Sequence, residues 1–165
     1  MLWRKRLHLV LHIAFFAILI IVVAGGYFVE WVLNYKPCAL CYLQRIGMMV
    51  AAFALLINLT EDNLRGLGLC LLSALFGAAV ALRHNSLKFC SGEPIQPIIF
   101  GRSLPFWSLI VFISSMLGIT VLLILQDSSN FYRSKGLVYR WLFFILLITT
   151  LVGSFSVLLN RGVGF

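Results

Sequence analysis

Five apolar runs divide the chain, each bounded by polar or turn-forming residues. The first extends from Leu7 to Val29, the second from Leu40 to Leu59, the third from Gly66 to Leu82, the fourth from Leu104 to Leu125 and the fifth from Trp141 to Leu159. Each approaches the roughly 20 residues that a helix needs to cross the hydrocarbon layer, so the pattern predicts five membrane-spanning helices. The segments between them differ in kind. Thr60 to Arg65 carries Glu61, Asp62 and Asn63 and is short enough only for an antiparallel helical hairpin. Arg83 to Leu104 is longer, with Pro94 and Pro97 breaking regular helix and Gly92 and Gly101 supplying turns. Ile95, Ile98, Ile99 and Phe100 make this loop apolar enough to lie on the membrane. Glu30 to Lys36 forms the other outer segment, and Gln126 to Arg140 is a polar linker. Trp31, Tyr35 and Trp107 suit the interfacial belt. Gly66, Gly68, Ser73, Ala74, Gly77, Ala78 and Ala81 make the third run rich in small residues, which lets neighbouring helices approach closely.

Composition agrees. Of 165 residues 62% are hydrophobic and 11% charged, and the mean hydropathy is +1.04, values that exclude a soluble domain. The formal net charge of +8 does not indicate nucleic acid, because the cations stand singly or in threes at the ends of apolar runs. They read as topological anchors and lipid-headgroup contacts. A cleaved signal peptide ending near Ala24-Gly25-Gly26 is the rival reading of the first run; its length and the spans behind it favour a retained signal anchor. With the N-terminus in the cytoplasm, seven cations (Arg4, Lys5, Arg6, Arg65, Arg133, Lys135, Arg140) lie inside and six (Lys36, Arg45, Arg83, Lys88, Arg102, Arg161) outside. Setting aside Arg45 and Arg83 as helix-borne leaves seven against four, and the N-terminal cluster weighs most.

The chemistry concentrates in Tyr35-Lys36-Pro37-Cys38-Ala39-Leu40-Cys41-Tyr42-Leu43-Gln44-Arg45, where a polar gap meets the second span. Pro37 suits the start of a helix. If the helix runs from about Ala39, Cys41 and Arg45 are i and i+4 and share a face. The positive end of the helix dipole and the guanidinium both favour thiolate, the form that attacks disulfides. A structural zinc would want four ligands, yet there is no second Cys-x-x-Cys, and His8, His12 and His84 are scattered. The pair reads as redox-active. Arg45 falls inside the second span near its outer end, where a charge is costly unless it snorkels or meets an anion, so it is a functional candidate. His8 and His12 read as interfacial or helix-packing histidines. Cys70 lies about 18 Å from the outer end of its helix, beyond the ~7 Å a disulfide allows, and reads as a small buried hydrophobe.

Pro-Cys-x-Leu-Cys-Tyr-x-Gln-Arg ahead of a hydrophobic span resembles the disulfide bond formation protein B family (DsbB, with BdbC-type relatives) over approximately residues 8 to 125. His84 and Cys90-Ser91-Gly92-Glu93 add to the resemblance. It implies an all-α membrane protein: a four-helix transmembrane bundle with two periplasmic loops in residues 1–125, to which residues 126–165 add a cytoplasmic linker and a fifth transmembrane helix. It also implies an inner-membrane oxidoreductase that reoxidises a periplasmic DsbA-like protein of thioredoxin fold and passes the electrons to ubiquinone or menaquinone. Cys38, Cys41, Cys90 and Arg45 are then the catalytic candidates, with Arg45, His84 and Cys41 facing the quinone, and no metal is called for. Membrane lipid and the soluble protein are the implied partners, and nucleic acid is not. The chain departs from the family in having a single cysteine, Cys90, in the second outer loop, where two are common. Cys90 pairs with Cys38, or the soluble protein attacks the Cys38–Cys41 disulfide directly, or Cys90 pairs with another chain; the first is preferred. The rival functions are a reductase conduit for an extracytoplasmic isomerase and a non-enzymatic protein that handles a soft metal through Cys38 and Cys41.

Overall fold

The computed structural model describes residues 2–32, 37–61, 64–91, 98–125 and 141–152. Four long helices dominate: α1 (Leu2–Val32), α2 (Ala39–Glu61), α3 (Leu64–Ser91) and α4 (Leu104–Leu125). Each is long and apolar enough to cross a membrane, as the hydrophobic runs predict, and the chain is a multi-pass membrane protein. In lipid the backbone must satisfy its own hydrogen bonds, which is why uninterrupted apolar runs become helices there. A shorter apolar helix, α5 (Trp141–Val152), follows and sets Leu142 and Leu146 against the bundle. The linker and the last part of the fifth span lie outside the described residues.

α2 and α3 pack most extensively, α4 lies on α3, and α1 crosses onto α2 and α4. The small residues of α3 make this possible. A Cβ at Gly66 would sit 2.6 Å from the Asn58 nitrogen and 2.8 Å from the Ala54 carbonyl oxygen, and one at Gly77 would collide with the Phe112 ring. Ser73 Oγ donates to the Gly47 carbonyl at 2.6 Å, a further tie between α2 and α3. Phe16, Leu19, Leu55, Leu67, Phe112 and Ile119 fill the interior, and Cys70 is buried among such residues, as anticipated. His8 and His12 are also buried, their rings 4.9 Å apart, so they are helix-packing residues and not interfacial ones. Ile21, Phe28, Leu72, Leu117 and Ile124 are more than half exposed, a coat suited to acyl chains.

One expectation is corrected. The third apolar run stops at Leu82, but α3 continues to Ser91. Hydropathy marks where lipid ends, and a helix needs another reason to stop; Arg83 to Ser91 contains neither Gly nor Pro. Asn85 Nδ2 and Ser86 Oγ donate to the carbonyls of Ala81 (2.8 Å) and Leu82 (2.9 Å), one turn back. His84 and Cys90 are therefore carried on a helix, and the segment joining α3 to α4 starts after Ser91. Further along, β1 (Ile98–Ile99) pairs antiparallel with β2 (Arg102–Ser103). Phe100 and Gly101 turn the corner with φ of 51° and 73°. A two-residue hairpin of this hand needs positive φ at both corners, which Gly101 accepts and Phe100 tolerates at a cost.

Candidate functional site

Cys38 stands immediately before α2, and its carbonyl accepts the first bonds of that helix, from Cys41 N at 3.0 Å and Tyr42 N at 3.4 Å. Cys38 is thus the N-cap, with Pro37 just ahead of it, and the helix runs from Ala39 as expected. This cap geometry folds the two sulfurs together: Cys38 Sγ lies 3.3 Å from Cys41 Sγ, both as free thiols. Cys38 is exposed and Cys41 buried. The pair therefore has an outward and an inward sulfur.

α3 supplies the next group. His84 is buried and its Nε2 lies 3.6 Å from Cys38 Sγ, while its Nδ1 lies 3.4 Å from Gln44 Nε2. Ser108 Oγ of α4 donates to Gln44 Oε1 at 2.9 Å. With the Gln44 NH2 turned to His84, Nδ1 accepts and Nε2 carries the proton toward Cys38. With the amide turned over and Ser108 Oγ donating instead to the Pro105 carbonyl at 2.9 Å, Nδ1 carries the proton and Nε2 presents its lone pair. The Cys41 thiol and then the His84 ring N–H hold the Cys38 thiol down from the ordinary 9.0 to about 3, against the opposing effect of burial. A thiolate on the exposed sulfur is the result.

One turn deeper, Arg45 is buried and makes two hydrogen bonds to α1. Its Nη1 donates to Glu30 Oε2 at 2.6 Å and its Nη2 to the Gly26 carbonyl at 2.9 Å. The guanidinium carbon lies 4.5 Å from the Tyr27 ring centre and 5.6 Å from that of Tyr42, whose hydroxyl donates to Glu30 Oε1 at 3.4 Å. Gly26 suits this approach, since a Cβ there would meet Arg45 Nε at 3.2 Å and the guanidinium would have to give by a few tenths of an ångström.

Between α1, α2 and α4 lies a cavity of about 590 Å³. Val22, Phe28, Met48, Phe100, Trp107 and Val111 make its walls apolar, and Cys41, Gln44 and Arg45 bring polar groups to it. An apolar chamber with a few converging donors beside a sulfur fits a flat, weakly polar ring such as a quinone. Phe100, at the hairpin corner, is 92% exposed and packs edge-on to Trp107, with centroids 6.5 Å apart. Among the described residues His84 does not line this chamber; it stands against Cys38. Cys90, six residues further along α3 and so about 9 Å along its axis, is exposed and lines a separate, open recess with Asn85, Ser86, Ile98, Arg102 and Phe106. The structure thus brings Cys38, Cys41 and His84 together, sets Arg45 on the inward side of the pair, and leaves Cys90 apart. The sulfurs of Cys38 and Cys41 and a ring nitrogen of His84 fall within 4.8 Å of one another, a set of donors that a metal could also use.

Glu30, Gln44 and Ser108 were not singled out by the sequence. A signal for Glu30 existed: a buried arginine calls for a carboxylate, and Glu30 is the only acidic residue ahead of Glu61. Gln44 stood in the motif that carries the family resemblance but was given no role there, and for Ser108 the sequence held no such signal.

A model of the family described as "Disulfide bond formation protein DsbB" matches residues 6–96. Among curated relatives, "Disulfide bond formation protein B 1" of Pseudomonas savastanoi pv. phaseolicola is 33% identical over 91 residues, 50% of this chain and 54% of the relative. "Disulfide bond formation protein B" of Chromobacterium violaceum is 37% identical over 93 residues, 50% of this chain and 56% of the relative. The chain thus spans about half the length of these two. A protein of the same description from Ralstonia nicotianae is 29% identical over 151 residues, 69% of this chain and 95% of the relative. No solved structure matches the chain.

Proposed function

The chain belongs to the DsbB family of disulfide bond formation proteins, and from that premise we propose that it is an inner-membrane, quinone-linked oxidoreductase that reoxidises a DsbA-like protein of thioredoxin fold. One observation carries this reading. The Cys38–Cys41 pair is two-faced, with Cys38 open to solvent on His84 and Cys41 on the wall of an apolar chamber beside Arg45.

The exchange starts from a Cys38–Cys41 disulfide. A thiolate of the soluble protein attacks Cys38 Sγ, the exposed sulfur; a new S–S bond forms there and the Cys38–Cys41 bond breaks. Cys41 leaves with the electron pair as a thiolate at the chamber wall, one helical turn from the Arg45 guanidinium. The second thiolate of the soluble protein then attacks its own bridged sulfur and releases Cys38 as a thiolate, which the His84 Nε2–H holds. Two electrons have moved onto Cys38 and Cys41, and the soluble protein carries the new disulfide. A membrane quinone, ubiquinone or menaquinone, supplies the two-electron oxidant that regenerates the pair. Arg45 and Gln44 place fixed donors at the chamber wall, where a ligand oxygen gaining negative charge is stabilised without reorganisation. Direct attack on the Cys38–Cys41 disulfide suits this geometry better than a Cys90–Cys38 bond, because Cys90 lines a different recess. In this scheme the N-terminus is cytoplasmic and the pair faces the periplasm. Residues 1–125 are the working unit and residues 126–165 an addition to it.

Full-length protein in detergent, mixed with a reduced thioredoxin-fold thiol oxidase and a soluble quinone analogue, tests the reading. Loss of quinone absorbance should match formation of the soluble protein's disulfide mole for mole. If the quinone stays oxidised, the reading is wrong; if quinol instead reduces a disulfide in the soluble protein, the chain is a reductase conduit.

A further inference from the structure

Two sulfurs and an imidazole nitrogen converge at the mouth of the bundle from the first turn of α2 and the outer part of α3. Cys38 Sγ lies 3.3 Å from Cys41 Sγ and 3.6 Å from His84 Nε2, and the three donors fall within 4.8 Å of one another. A tetrahedral zinc, with thiolates at about 2.3 Å and imidazole at about 2.0 Å, sets its donors roughly 3.4 to 3.8 Å apart. Two of the three separations already sit close to that range; the third closes with a shift of about 1 Å, within reach of a Cys41 rotamer. A ligating histidine is normally oriented through its second nitrogen. Here His84 Nδ1 faces Gln44, which Ser108 of α4 holds in turn. Access is open as well, because Cys38 is exposed while Cys41 and His84 are buried behind it. Two soft sulfurs and one nitrogen select a thiophilic ion over magnesium or calcium, which want oxygen.

We propose that the reduced Cys38 and Cys41 pair, with His84 as third ligand, is a binding site for a thiophilic d10 cation such as Zn2+. Each sulfur binds as thiolate, any proton it carries passing to solvent, and His84 binds through the Nε2 lone pair. The ring proton then sits on Nδ1 and is donated to Gln44 Oε1, the amide turned so that Ser108 Oγ accepts from its NH2 while donating to the Pro105 carbonyl, and no electrons move. The fourth position of the metal is left to water. Metal and disulfide are alternative states of the same two sulfurs. A metal-held pair offers neither an S–S bond to attack nor free thiolates to be reoxidised, so zinc in the outer compartment reversibly arrests the reduced protein. This binding stands apart from the proposed oxidase cycle, since it needs neither quinone nor soluble protein.

The test is a titration of the reduced full-length protein with Zn2+ in competition with a chromophoric chelator, in the absence of quinone. One Zn2+ should bind per chain, and oxidising the pair should abolish binding. His84→Ala should weaken binding about tenfold or more, while Cys90→Ser and Cys70→Ala leave it unchanged. His84→Cys, which restores a soft third donor, should recover tight binding and so separates loss of a ligand from loss of fold. Co2+ in place of Zn2+ should give the visible bands of a tetrahedral site together with sulfur-to-metal charge transfer. Substoichiometric binding by the reduced wild-type protein overturns the proposal. So does a His84→Ala protein that binds as tightly as wild type, or a Cys90→Ser protein that loses the metal.

Discussion

Glu30 Oε2 and Arg45 Nη1 meet at 2.6 Å inside the bundle, and the side chains retain only 3% and 10% of their exposure. The two residues come from α1 and α2, so the contact fixes the register of those helices beside the apolar chamber. It also leaves the chamber wall with a cation whose charge is largely balanced from behind.

Removing one member of such a pair strands the other. Glu30→Leu should cost about 3 to 5 kcal/mol, read as a lower melting temperature in detergent. The double variant Glu30→Leu/Arg45→Met should recover most of that stability, because no buried charge is left alone, yet stay inactive toward quinone. A double variant that regains quinone reduction would show that Arg45 matters only to the fold.

The Cys38 thiol is held low by Cys41 and His84, so its thiolate persists as the pH falls and is lost only as pH drops through that depressed pKa. Alkylation of reduced protein at Cys38 should therefore be nearly flat from pH 8 down to about pH 5. In His84→Ala the pKa rises while the Cys41 contact still holds it below the ordinary value, so the rate should begin to fall at a higher pH than in wild type. Peptide mapping by mass spectrometry after brief iodoacetamide treatment reads this directly; equal rates for both proteins would remove His84 from the site.

Cys90 stands in a recess of its own, which separates two routes for the electrons. Cys90→Ser should retain turnover within about threefold of wild type, whereas Cys41→Ser should lose it by about a thousandfold or more. Turnover that collapses in Cys90→Ser would restore the pairing of Cys90 with Cys38.

How much of this was legible in the residues depends on how local each cause is. The four spans follow from unbroken apolar runs, and the nearness of the Cys38 and Cys41 sulfurs from a spacing of three along one chain segment. Arg45 could be read because a charge within a span demands an explanation on its own. The His84 contact with Cys38 could not, because it arises from α3 outrunning its hydrophobic segment, and hydropathy is silent on a polar helix that has left the lipid. Gln44 and Ser108 reach each other from α2 and α4, elements 64 positions apart in sequence at the point of contact, so no window along the chain contains both. The stripe of small residues was visible, whereas the particular meeting of Gly77 with the Phe112 ring needed the fold.

That meeting makes its own prediction. Gly77→Ala places a methyl group where the Phe112 ring now lies and should destabilise the protein by about 1 to 3 kcal/mol. Phe112→Leu in the same chain should relieve part of the loss, measured by thermal aggregation. Melting of Gly77→Ala at the wild-type temperature would mean that the Phe112 ring moves aside without cost and that this contact does not hold α3 to α4.

The hairpin corner at Phe100 bears on traffic. With an exposed phenyl ring on the rim of the chamber and Trp107 alongside, the doorway is apolar. If the proposed oxidase reading holds, an oxidant with a long isoprenoid tail would arrive sideways, by diffusion in two dimensions, and its supply would be set by how many such molecules share each patch of bilayer, whatever the surrounding water contains.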